Sequence, residues 1–185
     1  MSACLLVIDA QQSFLHRPYF RERDVPDYLR AQNTLIETAR KRAIPIVRIF
    51  HVERDPSSAF SRERGYVRPI DGLAQFEPAA VFEKSRHSAL VGSGLDVWLT
   101  ENGIRDVVIS GIRTEQCCET TTRHASDLGY RVRYVTDATL TFDMQDTSGD
   151  PLSADEIKRR TAAVLDGRFA TVCSVEQALE IPSND

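Results

Sequence analysis

At 185 residues, 42% hydrophobic and 27% charged, the chain is long enough for one domain with a full core and has a globular composition. A net charge of −4, with the arginines of 17–23 and 62–68 interleaved with acidic residues, argues against a nucleic-acid partner and for a solvated, salt-bridged surface. No run reaches membrane-spanning length, the first strand begins too early to leave room for a signal peptide, and Cys4, Cys117, Cys118 and Cys173 show no disulfide framework, so a cytoplasmic protein is expected.

In chain order, Leu5–Ile8 closing on Asp9 predicts a first strand at about 4–9. A helix over about 26–42 follows, with Asp24 as a candidate N-cap, Pro26 in the first turn, and Leu29, Leu35, Ile36 and Ala39 on its apolar face. Strands are expected at about 45–50, 81–83, 106–110, 131–136 and 169–173, with helices at about 92–103, 115–128 and 153–166 and a short one near 174–180. Ser153 with Glu156 three residues on reads as a capping box. The alternation implies a single α/β domain over 1–185, a doubly wound and mainly parallel sheet with helices on both faces. Two stretches lack regular pattern, His51 to Ala80 and Thr139 to Pro151. Each follows a strand end, where it could roof a site or serve an oligomer interface. Gly92-Ser93-Gly94 is a weak phosphate-loop signal, and no glycine-rich nucleotide motif follows the first strand.

The chemistry concentrates at three strand ends. Cys117 lies just past the apolar run Asp106–Ile109, at the expected start of the 115–128 helix, where unpaired N–H groups and the positive dipole end favour a thiolate nucleophile. Asp9 ends the first strand and Lys84 the third. Ligands of open α/β sheets bind at the carboxyl ends of strands, so the three side chains are expected at one mouth. There Asp9 would serve as general base and Lys84 would hold both neighbours ionised. The plain alternatives are a buried helix cysteine, a strand-end carboxylate capping a loop, and a surface lysine. Cys118 points about a quarter-turn away and reads as core, as do Cys4 and Cys173.

These segments resemble the isochorismatase-like cysteine hydrolases. Asp9-Ala10-Gln11-Gln12-Ser13-Phe14 matches D-x-Q-x-x-F, Phe82-Glu83-Lys84 through Ser88 matches F-x-K-x-x-x-S, and Gly111-Ile112-Arg113-Thr114 through Cys117 matches G-[VI]-x-T-x-x-C, in order and at family spacing. The resemblance implies a Cys117-Asp9-Lys84 triad and sheet order 3-2-1-4-5-6. It implies a cis peptide between Ile112 and Arg113, an oxyanion hole from the N–H groups of Arg113 and Cys117, and substrate contacts from Gln11, Phe14, Arg113 and Thr114. It also implies a homo-oligomer, dimer or tetramer, and a small-molecule substrate. Metal-binding relatives carry D-x-H after the second strand. Here Ile49 replaces the aspartate before His51, and His16, His87 and His124 have no metal-like spacing, so no metal or other cofactor is expected and nicotinamidase activity is disfavoured. The expected reaction is hydrolysis of a small amide or carbamoyl C–N bond through a thioester. The alternatives are vinyl ether hydrolysis of the isochorismatase type, an idle binding or assembly module of the same fold, and a thiol redox protein using Cys117 and Cys118. Arg113, Arg68 and Arg86 border candidate pocket segments. They would either read a substrate carboxylate or pair with Glu115, Glu83 or a neighbouring subunit.

Overall fold

The computed structural model describes residues 3–180. The chain runs β1 (Ala3–Ile8), α1 (Val25–Lys41), β2 (Ile46–His51), β3 (Ala80–Lys84), α2 (Leu95–Glu101), β4 (Asp106–Ile112), α3 (Glu119–Asp127) and β5 (Arg131–Leu140). A two-residue hairpin follows, β6 (Met144–Gln145) with β7 (Pro151–Leu152), then α4 (Ala154–Leu165) and β8 (Thr171–Val172). The main sheet has six strands in the order β3-β2-β1-β4-β5-β8, and every pairing in it is parallel. This is the expected doubly wound order, with β8 as the sixth strand. The order reverses between β1 and β4, whose registered pairs include Ile8 with Gly111.

Burial on both faces explains the near-continuous apolar strands. Successive residues of β1 alternate between two cores. Cys4, Leu6 and Ile8 pack with Leu95 and Leu99 of α2, Ala125 of α3 and Leu165 of α4. Leu5 and Val7 pack with Leu35, Ile36 and Ala39 of α1. A third, largely aromatic cluster gathers Phe14, Tyr28, Phe60, Ile112, Leu140 and Phe142. Glu119, nearly buried, ties α3 to α4 by accepting from Arg123 at 3.0 Å, Arg160 at 2.6 Å and Thr161 at 3.2 Å.

Several local expectations are corrected. Asp24 does precede α1, but its carboxylate accepts from Arg23 and caps no backbone N–H. Residues 174–180 form hydrogen-bonded turns, Ala178 N–H to Ser174 O and Glu180 N–H to Gln177 O, and no helix. Only Leu95–Glu101 of the 92–103 span is helical, because Gly92 and Gly94 both take left-handed φ. β5 runs on to Leu140, through what read as the start of an irregular stretch. The capping box at Ser153 and Glu156 is formed in both directions.

Candidate active site

β1 ends in a sharp turn. Asp9 takes φ 50°, a left-handed value that a short polar side chain tolerates better than most, and its N–H donates to Ile49 O at 2.9 Å. The turn points a fully buried carboxylate across the sheet. Lys84 is the last residue of β3, paired in register with His51 of β2, and its ammonium reaches past β2. Its Nζ lies 2.7 Å from Asp9 Oδ2, donates to Cys117 Sγ at 3.2 Å, and lies 3.2 Å from His51 Nδ1. Three strand ends thus bring Asp9, Lys84 and Cys117 together as expected at the mouth, with every member of the set buried.

The ionisation differs from the expectation at Cys117. A π-type turn, Thr114–Cys118, precedes α3, so the thiol is not at an ordinary α-helix start. Burial, then the neighbouring Asp9 charge, pushes its pKa up to about 12, against the opposing pull of Lys84. Cys117 is therefore a thiol at rest. At Lys84 burial favours loss of the proton, but Asp9 and Cys117 outweigh it and the pKa rises above the lysine norm. His51 is held below its usual value by burial and by the Lys84 charge, and is neutral at pH 7. With Nδ1 facing the Lys84 donor, its Nε2 carries the proton toward Glu53 Oε1, 3.5 Å away.

The peptide between Ile112 and Arg113 is cis. Gly111 before it takes φ 130°, and a Cβ there would sit 1.9 Å from Ile8 O, so only glycine allows β4 to lie this close to β1. Among the described residues nothing accepts a hydrogen bond from the Arg113 N–H. Its guanidinium turns to Glu115 at 2.9 Å and stacks over Tyr19 and Phe142, 4.7 and 5.8 Å from the ring centres. Of the two arrangements left open by the sequence, Arg113 takes the ion pair with Glu115. Arg68 likewise pairs with Asp71, and Glu83 with Arg62.

The other expected substrate contacts have structural partners. Gln11 accepts from the His51 N–H at 2.8 Å and donates to His51 O at 3.1 Å and Ser13 Oγ at 2.8 Å, fastening the β1 exit to β2. Thr114 is buried, its hydroxyl 2.8 Å from that of Thr139. Phe14 packs edge-on against Phe60 at 5.0 Å. Cys118 and Cys4 are core as expected, while Cys173 is only half-buried. Two neighbours of the site were not expected to touch it: His87 reads from sequence as a surface or supporting histidine, and Phe60 has no sequence assignment. His87 brings Nδ1 within 4.0 Å of Cys117 Sγ from the exposed side, and Phe60 packs edge-on against the His51 ring at 5.3 Å. The three-residue step from Lys84 to His87 was the available signal for the first. Phe60 sits in the 51–80 segment, where no periodicity marks it.

A metal of the kind held by some relatives does not fit. Ile49 is fully buried apolar core, His51 presents Nδ1 to an ammonium, and the described residues contain no group of three or more His, Cys, Asp or Glu able to hold an ion.

Comparison with known proteins agrees with this architecture. The chain is 27% identical to the uncharacterized isochorismatase family protein YrdC of Bacillus subtilis (strain 168), over 95% of this chain and 93% of that one. It is 29% identical to Nicotinamidase 3 of Arabidopsis thaliana over 76% and 74%. A solved hydrolase ascribed to the isochorismatase family from Chromobacterium violaceum ATCC 12472 superposes with a TM-score of 0.88 at 30% identity, covering 97% of this chain and 92% of that one. The family profile of the isochorismatase domain matches residues 3–177, and the chain belongs to the isochorismatase family of hydrolases.

Proposed function

We propose that this protein hydrolyses a small amide or carbamoyl C–N bond, with Cys117 as nucleophile, Asp9 as general base and acid, and Lys84 as the fixed positive charge. The observation that carries the reading is the buried Lys84 ammonium, 2.7 Å from a carboxylate oxygen and 3.2 Å from a thiol, at the carboxyl ends of the strands. The raised thiol pKa fits a nucleophile that needs a base at the moment of attack. Asp9 takes the Cys117 proton as Sγ bonds to the carbonyl carbon. The oxyanion receives the N–H groups of Arg113 and Cys117 and the field of Lys84. Asp9 then gives the proton to the nitrogen, the C–N bond breaks, and the amine leaves a thioester. Water, deprotonated by Asp9, attacks the thioester and releases the acid and the thiol. The 29% identical nicotinamidase supports amide chemistry in general. Ile49 in the buried core keeps the proposal away from nicotinamide itself.

A panel of small amides, ureido acids and isochorismate tests this, with intact-mass detection of a covalent adduct. Amide turnover is expected, falling by roughly a thousandfold or more in Cys117→Ala and little in Cys118→Ala. Turnover of isochorismate alone, or loss of activity in Cys118→Ala alone, overturns the assignment.

A further inference from the structure

We infer that Arg17, and not Arg113, reads a carboxylate on the substrate, at the end remote from the bond that breaks. This rests on the hydrolase reading above and names its substrate class, ω-amido or ureido acids.

Arg17 follows the short 3-10 turn Gln12–His16 that leads away from Asp9, so the chain carries it from the catalytic carboxylate. Its guanidinium carbon lies 5.5 Å from the centre of the Tyr19 ring and 6.0 Å from that of Phe60. Both rings belong to the aromatic cluster around Phe142, and each leads to a different catalytic group. Phe60 packs on His51, which contacts Lys84 from the β2 side. Tyr19 carries the Arg113 guanidinium, whose backbone lies beside the cis bond on the β4 side. Arg17 is therefore linked through Phe60 to the His51–Lys84 side and through Tyr19 to the segment of Arg113.

Its charge is unanswered. Among the described residues no carboxylate pairs with it, and its Nε is buried without a hydrogen-bond partner. A buried donor left unmade costs free energy, which an incoming acceptor recovers. Arg113 differs on both counts, since Glu115 pairs with it and its Nε donates to Thr141 Oγ1 at 3.4 Å. A planar guanidinium supported on aromatic faces presents a donor fork that suits the two oxygens of a carboxylate. The scissile carbonyl would lie at Cys117 and the carboxylate at Arg17.

Binding to Cys117→Ser, measured by calorimetry, tests this without turnover. The probes are a series of ω-amido acids such as succinamate, each against its neutral diamide such as succinamide. The acid is expected to bind about tenfold tighter or more, the advantage disappearing in Cys117→Ser/Arg17→Gln and surviving only in part in Cys117→Ser/Arg17→Lys. Equal binding of acid and diamide, or a preference that persists in the Arg17→Gln background, overturns the proposal. If the preference is present but wild-type protein turns over no amide, the reaction assignment fails and the carboxylate subsite stands.

Discussion

Asp9 and Lys84 pull the Cys117 thiol in opposite directions. The carboxylate disfavours a second negative charge beside it and the ammonium favours one, but burial sides with the carboxylate. The sign of an Asp9→Asn substitution follows. Removing the negative charge leaves Lys84 unopposed, so the thiolate becomes easier to form and its pKa falls. Iodoacetamide should label Cys117 faster at pH 7 in Asp9→Asn than in wild type, and the pH profile of labelling should move down. Hydrolysis should nevertheless be lost, because no group remains to carry the proton to the leaving nitrogen. Labelling that slows in Asp9→Asn would mean that the carboxylate activates the resting thiol. At this scale the sequence showed which residue types meet, since each of the three ends an apolar strand or follows one. It did not show the ionisation state. That depends on how deeply the thiol is buried and on a π-type first turn, neither of which has a residue signature. Arg113 was ambiguous for the same reason, as its partner Glu115 is two residues away and the direction of each side chain is set by Tyr19 and Phe142 from elsewhere in the chain.

Among the elements, β4 carries the most constraint. Gly111 sits in register with Ile8, and the ladder between β4 and β5 shifts between Ile109 and Gly111. A methyl group at Gly111 would meet backbone atoms of Ile8 at 1.9 to 2.7 Å, and backbone cannot rotate away as a side chain can. Gly111→Ala should therefore displace β4 from β1 and destabilise the protein by about 3 kcal/mol or more, read from urea unfolding. An alanine variant with the wild-type midpoint would show that the two strands can separate freely. Elements with local codes were legible, among them the Ser153 capping box and the alternating strands with their two buried faces. The 174–180 segment misled because Val175, Ala178 and Leu179 have helical spacing, and they bury against α1 and β5 from turns instead. The β6–β7 hairpin left no trace in the pattern, being two residues per strand.

For the whole molecule, alternating βα units made a doubly wound, mainly parallel sheet legible, and its strand order was what the family resemblance implied. Association with further copies of the chain is not contained in that order. Val81, Val91, Val97 and Leu128 are exposed large apolar side chains, and β3 forms one open edge of the sheet. Together with the family resemblance, this leads us to expect a homo-oligomer, with light scattering at micromolar concentration giving two or four times the chain mass. A monomer under those conditions would overturn the expectation.

The sheet also divides labour between parts of the chain that change at different cost. Asp9, Lys84 and Cys117 are delivered at or just beyond the ends of β1, β3 and β4, and moving any one of them means moving a hydrogen-bonded ladder. Arg17, Tyr19 and Phe60 lie on connecting segments, and the segment between β2 and β3 can lengthen, shorten or exchange residues while both of its ends stay pinned by the sheet. On the proposed reading, reaction type is carried by the strands and substrate choice by the loops. A designer seeking a new acceptor for this chemistry would replace 12–20 and 52–79 as one matched pair, because the two segments hydrogen-bond to each other through Gln12 with Arg68 and Ser13 with Tyr66, and stack through His16 on Tyr66.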